Sequence, residues 1–164
     1  MKNIIILGNG SREHVIKEKL SCHNTQLIDD TQELKNRKEI DLVVVGSEKY
    51  LVNGIKNDCP FPVFGPSRKA ARIEGSKIFS KNFMNQHQIP TAKYFIPESK
   101  ESLFSYFSTS NSNDNTLNSP CRYVIKQDGL CSGKGVYLPN NLQEIREILN
   151  QVDDNVLIER RLYG

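Results

Sequence analysis

The chain predicts an α/β protein: an open, parallel-sheet domain first, then a smaller α+β part built around a glycine-rich hairpin. Three stretches carry that prediction. Ile4-Ile5-Ile6-Leu7 is a β-branched run that feeds Gly8-Asn9-Gly10-Ser11 and then a helical pattern, the opening of a βαβ unit. Residues 41–45 (DLVVV) read as a strand buried on both faces, as strands of parallel sheets are. In residues 122–136 (RYVIKQDGLCSGKGV), Asp128-Gly129 lies between two β-prone runs, a hairpin signal.

In order, the first strand is followed by a helix over residues 12–20, with Val15, Ile16, Lys19 and Leu20 on one face and Ser11 as its N-cap. Strand, glycine turn and helix aim backbone amides at a helix N-terminus, which attracts anions. The dinucleotide fingerprint needs glycine at position 13, where this chain has Glu13, so NAD is not the expected ligand. A phosphomonoester held by the amides of Gly10 and Ser11 and assisted by Arg12 is one reading; a tight strand-to-helix turn is the other. A weak strand over 26–28 and a solvated helix over 31–39 lead to the strand at 41–45. That strand ends at Gly46-Ser47-Glu48, where an open α/β sheet places its ligand crevice. Glu48 there suits sugar hydroxyls or is simply an exposed loop acid.

A short helix over 51–56, a strand over 62–64 and a helix through Ala70, Ala71 and Ile73 complete the first domain, expected to span residues 1–75. Ser76 caps the next helix, 77–87, whose Ile78, Phe79, Phe83 and Met84 form a core stripe and whose Lys77 and Lys81 lie one turn apart. Residues 93–96 are extended, and Leu103, Phe104 and Phe107 mark a short amphipathic helix. Residues 108–120 are polar and low in complexity, too poor in apolar surface to offset ordering, so a disordered loop is expected. After the hairpin come a helix over 142–152, with Ile145, Ile148 and Leu149 inward, and a strand over 155–159.

The hairpin tip holds Gly129, Ser132, Gly133, Lys134 and Gly135, with Lys126 at its root. Glycines let amides approach phosphate oxygens and lysines supply point charges, so the pattern suits a polyphosphate; a plain hairpin with a mobile tip is the alternative. It is no Walker loop: Gly129 to Lys134 is one residue short, the Ser/Thr is missing and a strand follows where a helix should start.

Over 164 residues, 37% hydrophobic and 25% charged content fit a globular protein, and a net charge of +3 with dispersed lysines argues against nucleic acid. No apolar run approaches the ~20 residues of a membrane span, and the N-terminus does not read as a signal peptide. Cys22, Cys59, Cys121 and Cys131 show no C-x-x-C spacing, so reduced thiols and a cytoplasmic location are expected; Cys131, beside Lys134, reads as inert.

Several segments together resemble the phosphoribosylamine–glycine ligases, members of the ATP-grasp superfamily. They are residues 8–14 (GNGSREH), 41–46 (DLVVVG), 64–66 (FGP), 74–77 (EGSK) with Lys81 and Phe83, 89–92 (IPTA), 126–136 (KQDGLCSGKGV) and 157–162 (LIERRL). The resemblance implies a Rossmann-like pre-ATP-grasp domain followed by the first helix and the small flap-bearing subdomain of ATP-grasp. It implies ATP-dependent joining of glycine to 5-phosphoribosylamine through an acyl phosphate, in de novo purine synthesis. Lys81 and Lys126 would contact ATP phosphates, and the flap, through Gly129, Ser132, Gly133, Lys134 and Gly135, would close over them. Glu159 to Leu162 would be the edge segment whose backbone reads adenine. Gly8, Gly10, Ser11, Arg12, Glu13, Gly46 and Glu48 would form the phosphoribosylamine side. No catalytic residue is expected within this chain, and the Mg²⁺ ligands and glycine site are expected beyond Gly164, on a separate chain if one exists; alone the polypeptide is expected to be inactive. A non-catalytic nucleotide-binding fragment, a degenerate remnant and an ATP-grasp ligase with another amine acceptor are the alternatives.

The chain departs from the family pattern in places. Ser11 replaces a second consecutive glycine, and Ser47, Lys49 and Tyr50 replace a Pro-Glu-Ala-Pro style turn around Glu48. A Pro-Gly-Asn loop is missing after the second strand, and Arg160-Arg161 replaces an acidic-aromatic pair.

Overall fold

The computed structural model describes residues 1–108 and 119–162; residues 109–118 of the expected disordered stretch lie outside the described residues. At its two ends, Ser108 closes a helix and Ser119 is buried. The chain divides into two compact units, Met1–Gly75 and Ser76–Gly164.

The first unit is a parallel sheet of β1 (Asn3–Leu7), β2 (Asn24–Ile28), β3 (Leu42–Val45) and β4 (Val63–Phe64), in the order β2-β1-β3-β4. Its inner strands are apolar from Ile4 to Leu7 and from Leu42 to Val45 because both faces are covered. Ile5, Leu7 and Val43 pack on one side with Ile28, Leu34 and Tyr50; Ile4, Ile6 and Val44 pack on the other with Ile16 and Leu20. Helix α1 (Ser11–Lys19) follows β1 and α2 (Thr31–Lys35) follows β2. The helix expected over 51–56 is instead two, α3 (Glu48–Val52) and α4 (Ile55–Asp58), because Gly54 between them takes a left-handed φ of 93°. Helix α5 (Arg68–Gly75) ends the unit.

Two details of α1 differ from the sequence reading. Its N-cap is Gly10, not Ser11, which is already helical, and Val15 is 55% exposed rather than packed. Both follow from Glu13, whose carboxylate reaches back to the Gly10 amide at 2.7 Å and so fixes where the helix starts and which face turns inward.

The second unit is a sheet in the order β5-β8-β6-β7, formed by β5 (Tyr94–Phe95), β6 (Tyr123–Gln127), β7 (Val136–Tyr137) and β8 (Val156–Arg160), all antiparallel to their neighbours. Ile125, Val156 and Ile158 turn one face onto Leu103 and Phe107 of α7 (Lys100–Ser108) and Ile145 and Leu149 of α8 (Leu142–Gln151). Side chains alternate along a strand, so Lys126 and Glu159 point to the opposite face. Helix α6 (Lys77–Gln86) contacts β8, and its most buried residue is Lys81. The apolar residues expected as its core stripe, Ile78, Phe79, Phe83 and Met84, are only half-buried.

Candidate functional site

In the first unit, the loops leaving β1 and β3 meet where the strand order reverses, the usual ligand position of an open α/β sheet. They line a cavity of about 420 Å³ with Gly8, Gly10, Ser11, Arg12, Glu13, Gly46 and Glu48, all expected here, and with Asn9, Asp29, Ser47 and Lys49. Glu13 is 4% exposed and acts as the keel of this loop pair. A Cβ on Gly8 would lie 2.9 Å from its side chain, and one on Gly46 would overlap it outright. Glycine is therefore required by close approach at both positions. Arg12 spans the loops: its guanidinium donates to the Gly46 carbonyl at 2.7 Å and lies 3.7 Å from the Glu48 carboxylate.

The opposite wall was not read from sequence as part of the site. Tyr50, anchored in the core, donates its hydroxyl to the Asp29 carbonyl at 2.8 Å and also to its carboxylate, and Lys49 pairs with the same carboxylate at 3.3 Å. The Tyr50 and Lys49 hydrogen bonds hold Asp29 below the ordinary carboxylate range. Tyr50 and Lys49 stand where the resembled family has a different turn, so only the fold brings Asp29 to them.

The second unit gathers charge. Lys126 is paired in register with Leu157, two positions from Glu159 on the adjacent strand, a diagonal that long side chains span. Glu159 uses one carboxylate oxygen for Lys81 and the other for Lys126. Lys81 also donates to the Thr91 hydroxyl at 2.5 Å and lies over the Tyr94 ring. Burial alone would raise the Glu159 pKa; the hydrogen bonds from Lys126 and Lys81 override it and hold the carboxyl below the ordinary glutamate value. The structure thus joins Lys81, Lys126 and Glu159 in one cluster on the face of the sheet opposite α7 and α8. The signal available in sequence was an acidic residue closing an apolar strand.

Beyond Lys126 the chain enters the flap. Gly129 and Gly133 have φ of 87° and 80°, and a Cβ on either would meet nothing within 4 Å. Ser132 is left-handed too, and Ser132, Gly133 and Lys134 are exposed. Gly135 is packed instead: a Cβ there would lie 2.6 Å from the Cys131 sulfur. Residues 132–134 at the tip are thus open to solvent, although the Lys134 amide is taken by the Cys131 carbonyl at 2.9 Å.

One expectation needs correction. Residues 159–162 are not an edge: β8 lies between β5 and β6, and the Arg160 and Arg161 amides are taken by the Lys93 and Arg122 carbonyls, each at 2.7 Å. Leu162, 74% exposed, lies past the ladder. Among the described residues no group of three or more His, Cys, Asp or Glu side chains is placed to hold a metal ion.

Comparison with known proteins bears on both units. The bifunctional purine biosynthetic protein ADE5,7 of Saccharomyces cerevisiae is 35% identical over 207 aligned positions, covering 100% of this chain and 25% of its own length. The phosphoribosylamine–glycine ligase of Fusobacterium nucleatum is 33% identical, covering 98% of this chain and 44% of its own. The crystal structure of phosphoribosylamine–glycine ligase from Thermotoga maritima superposes with a TM-score of 0.73 at 28% identity, covering 99% of this chain and 44% of that one. The chain thus spans between about a quarter and just under half the length of these relatives. The ATP-grasp (A) domain of phosphoribosylglycinamide synthetase matches residues 75–164 and its N domain matches residues 21–74. With the lysine–glutamate face and flap inside the first match and the β3 loop inside the second, the chain belongs to the phosphoribosylglycinamide synthetase family.

Proposed function

We propose that this chain supplies the nucleotide-binding face and the ribose-phosphate-binding loops of a phosphoribosylamine–glycine ligase. In that reaction ATP phosphorylates the glycine carboxylate, and the amine of 5-phosphoribosylamine displaces phosphate from the acyl phosphate. Such a sequence needs positioning and charge neutralisation more than a protein nucleophile. Lys81 and Lys126 present ammonium groups to the polyphosphate, and Glu159 sets their spacing while the site is empty of anions. The flap from Gly129 to Gly135 folds over the triphosphate, with Lys134 and the open amides as donors and Ser132 at the turn. Leu162 offers its backbone to the adenine. In the first unit, the Ser11 amide at the start of α1, with Arg12, receives the sugar phosphate, and Glu48 accepts from ribose hydroxyls; Gly8, Gly10, Gly46 and the buried Glu13 hold the loops in shape.

The observation that carries this reading is the Lys81–Glu159–Lys126 cluster on a strand face whose hairpin continues into an open glycine flap. Isothermal titration tests it with two ligands, ATP with Mg²⁺ and ribose 5-phosphate. Binding of both supports the ligase reading, ATP alone supports an ATP-grasp ligase with another acceptor, and neither refutes it. Lys126→Ala should weaken ATP binding by about 1–3 kcal/mol, the value of a charge-assisted hydrogen bond to phosphate; unchanged affinity removes Lys126 from the site.

A further inference from the structure

The root of the flap is fastened to the first turn of α6, some 50 residues away in sequence. Asp128 accepts from the Ser76 hydroxyl at 2.9 and 3.1 Å and from the Ile78 amide at 3.1 Å. Its own amide donates to the Asn155 carbonyl at 2.9 Å, just before β8. One residue on, the Gly129 carbonyl accepts from the Lys77 ammonium at 2.8 Å. Asp128 therefore touches three things: the flap it begins, the helix that carries Lys81, and the approach to the strand that carries Glu159.

A helix cap alone does not need this arrangement. Ser76 already caps α6 by accepting from the Phe79 amide at 3.1 Å, and its hydroxyl hydrogen is free to be given to Asp128. The carboxylate adds a charge where the helix dipole favours one, and it reaches there from the flap rather than from the helix itself. Beyond Asp128 the flap keeps the contacts of Lys77 with the Gly129 carbonyl at 2.8 Å and the Cys131 sulfur at 4.0 Å, while residues 132–134 are exposed. Gly129 and Gly133 are left-handed and surrounded by open space, as residues that absorb a swing must be.

We infer that Asp128 is a positioning residue that locks the flap root to α6, so that the flap pivots beyond it while Lys81 and Lys126 keep their spacing. The inference rests on the nucleotide reading of the same face and adds to it the part that sets where the flap closes.

The test compares Asp128→Ala with Asn141→Ala, which removes the corresponding cap of α8, where the Asn141 side chain accepts from the Glu144 amide at 2.9 Å. Both variants should lower the melting temperature to a similar degree. Only Asp128→Ala should weaken binding of ATP with Mg²⁺, by about tenfold or more, as misplacement of a positioned group does. Only Asp128→Ala should speed native-state trypsin cleavage after the exposed Lys134, and only there should ATP with Mg²⁺ fail to protect that bond. Equal behaviour of the two variants in affinity and cleavage overturns the proposal. If the unaltered chain does not bind ATP with Mg²⁺, the nucleotide reading falls separately, and the cleavage ratio still decides whether Asp128 holds the root. If Asp128→Ala does not fold, Asp128→Asn, which keeps one acceptor oxygen but no charge, should move affinity and cleavage in the same directions by about threefold; values matching the unaltered chain overturn the proposal.

Discussion

The two units build their candidate ligand surfaces from opposite materials. The first uses backbone: glycines at Gly8 and Gly46 fold around one buried carboxylate, Glu13, and leave amides and carbonyls to shape a cavity whose charged side chains sit at its rim. The second uses side chains: a buried glutamate bridges two lysines on a strand face, and the backbone becomes important only beyond Lys126, in the flap. A backbone-built site tolerates change in its rim but not in its packing. A charge-built site tolerates neighbouring volume changes but not the loss of one charge, since the partner is then left buried and unpaired.

That contrast is broken most forcefully at Glu159. Glu159→Ala leaves Lys81, 6% exposed, without its counter-charge, and should cost the second unit about 3–5 kcal/mol in urea unfolding. Combining it with Lys81→Met should recover much of that loss, because the buried ammonium left unpaired is then removed. A single replacement that costs nothing would mean that the cluster is not a buried one.

Next in size is the keel of the first unit. Gly46→Ala places a methyl group against Glu13 and should destabilise that unit by about 1–3 kcal/mol, the usual range for overpacking. Glu13→Ala should relieve the clash in the double variant while itself releasing the Gly10 amide. Additive losses, seen as two independent drops in melting temperature, would show that the contact does not control the loops.

What could be read from the sequence followed the same division. Local pattern was enough for β1, β3 and the hairpin, since an apolar run or an Asp-Gly turn is decided by neighbours a few residues away. It was enough also for the glycines lining the first cavity, whose spacing lies within one loop. It failed where the deciding partner is remote. Lys81 sits in a helix whose apolar positions look like the core stripe, yet Glu159 and Thr91 bury the lysine instead. Asp128 reads as a turn residue, and nothing nearby tells that Ser76 and Ile78 are its partners. Asp29 ends β2 as an ordinary loop acid until Tyr50 and Lys49 reach it from α3. The strand holding Glu159 looks terminal in sequence but is internal in the sheet, because β5 adds to its outer side.

Acid sharpens the comparison more gently than mutation. The folded pKa of Glu159 lies below its ordinary value of 4.5, so as pH falls the unfolded chain takes up the proton first. Its contribution to stability is complete above that ordinary value and is lost as pH drops through the lowered folded value. Stability of the second unit, followed by urea unfolding from neutral pH downward, should therefore decline in that acidic window, and Glu159→Gln should flatten the decline. An identical slope in the variant would assign the acid sensitivity elsewhere.

The smallest effect belongs to Tyr50, where the first site borrows an aromatic side chain from the core. Tyr50 is buried, but its hydroxyl leaves the core to hold Asp29 at the cavity wall, where Lys49 joins it. Tyr50→Phe keeps the packed ring and deletes only that tie, so the loss in unfolding free energy should be about 0.5–1.5 kcal/mol, the net value of one hydrogen bond. Its effect on ligand binding separates two designs. If the cavity is shaped by backbone alone, ribose 5-phosphate affinity stays as it was, because Gly8, Gly10, Gly46 and Glu13 are untouched. If the Asp29 wall also faces the ligand, affinity falls although stability barely changes, and the first site is then a hybrid in which a core tyrosine places a charge, as Glu159 does for its lysines in the second.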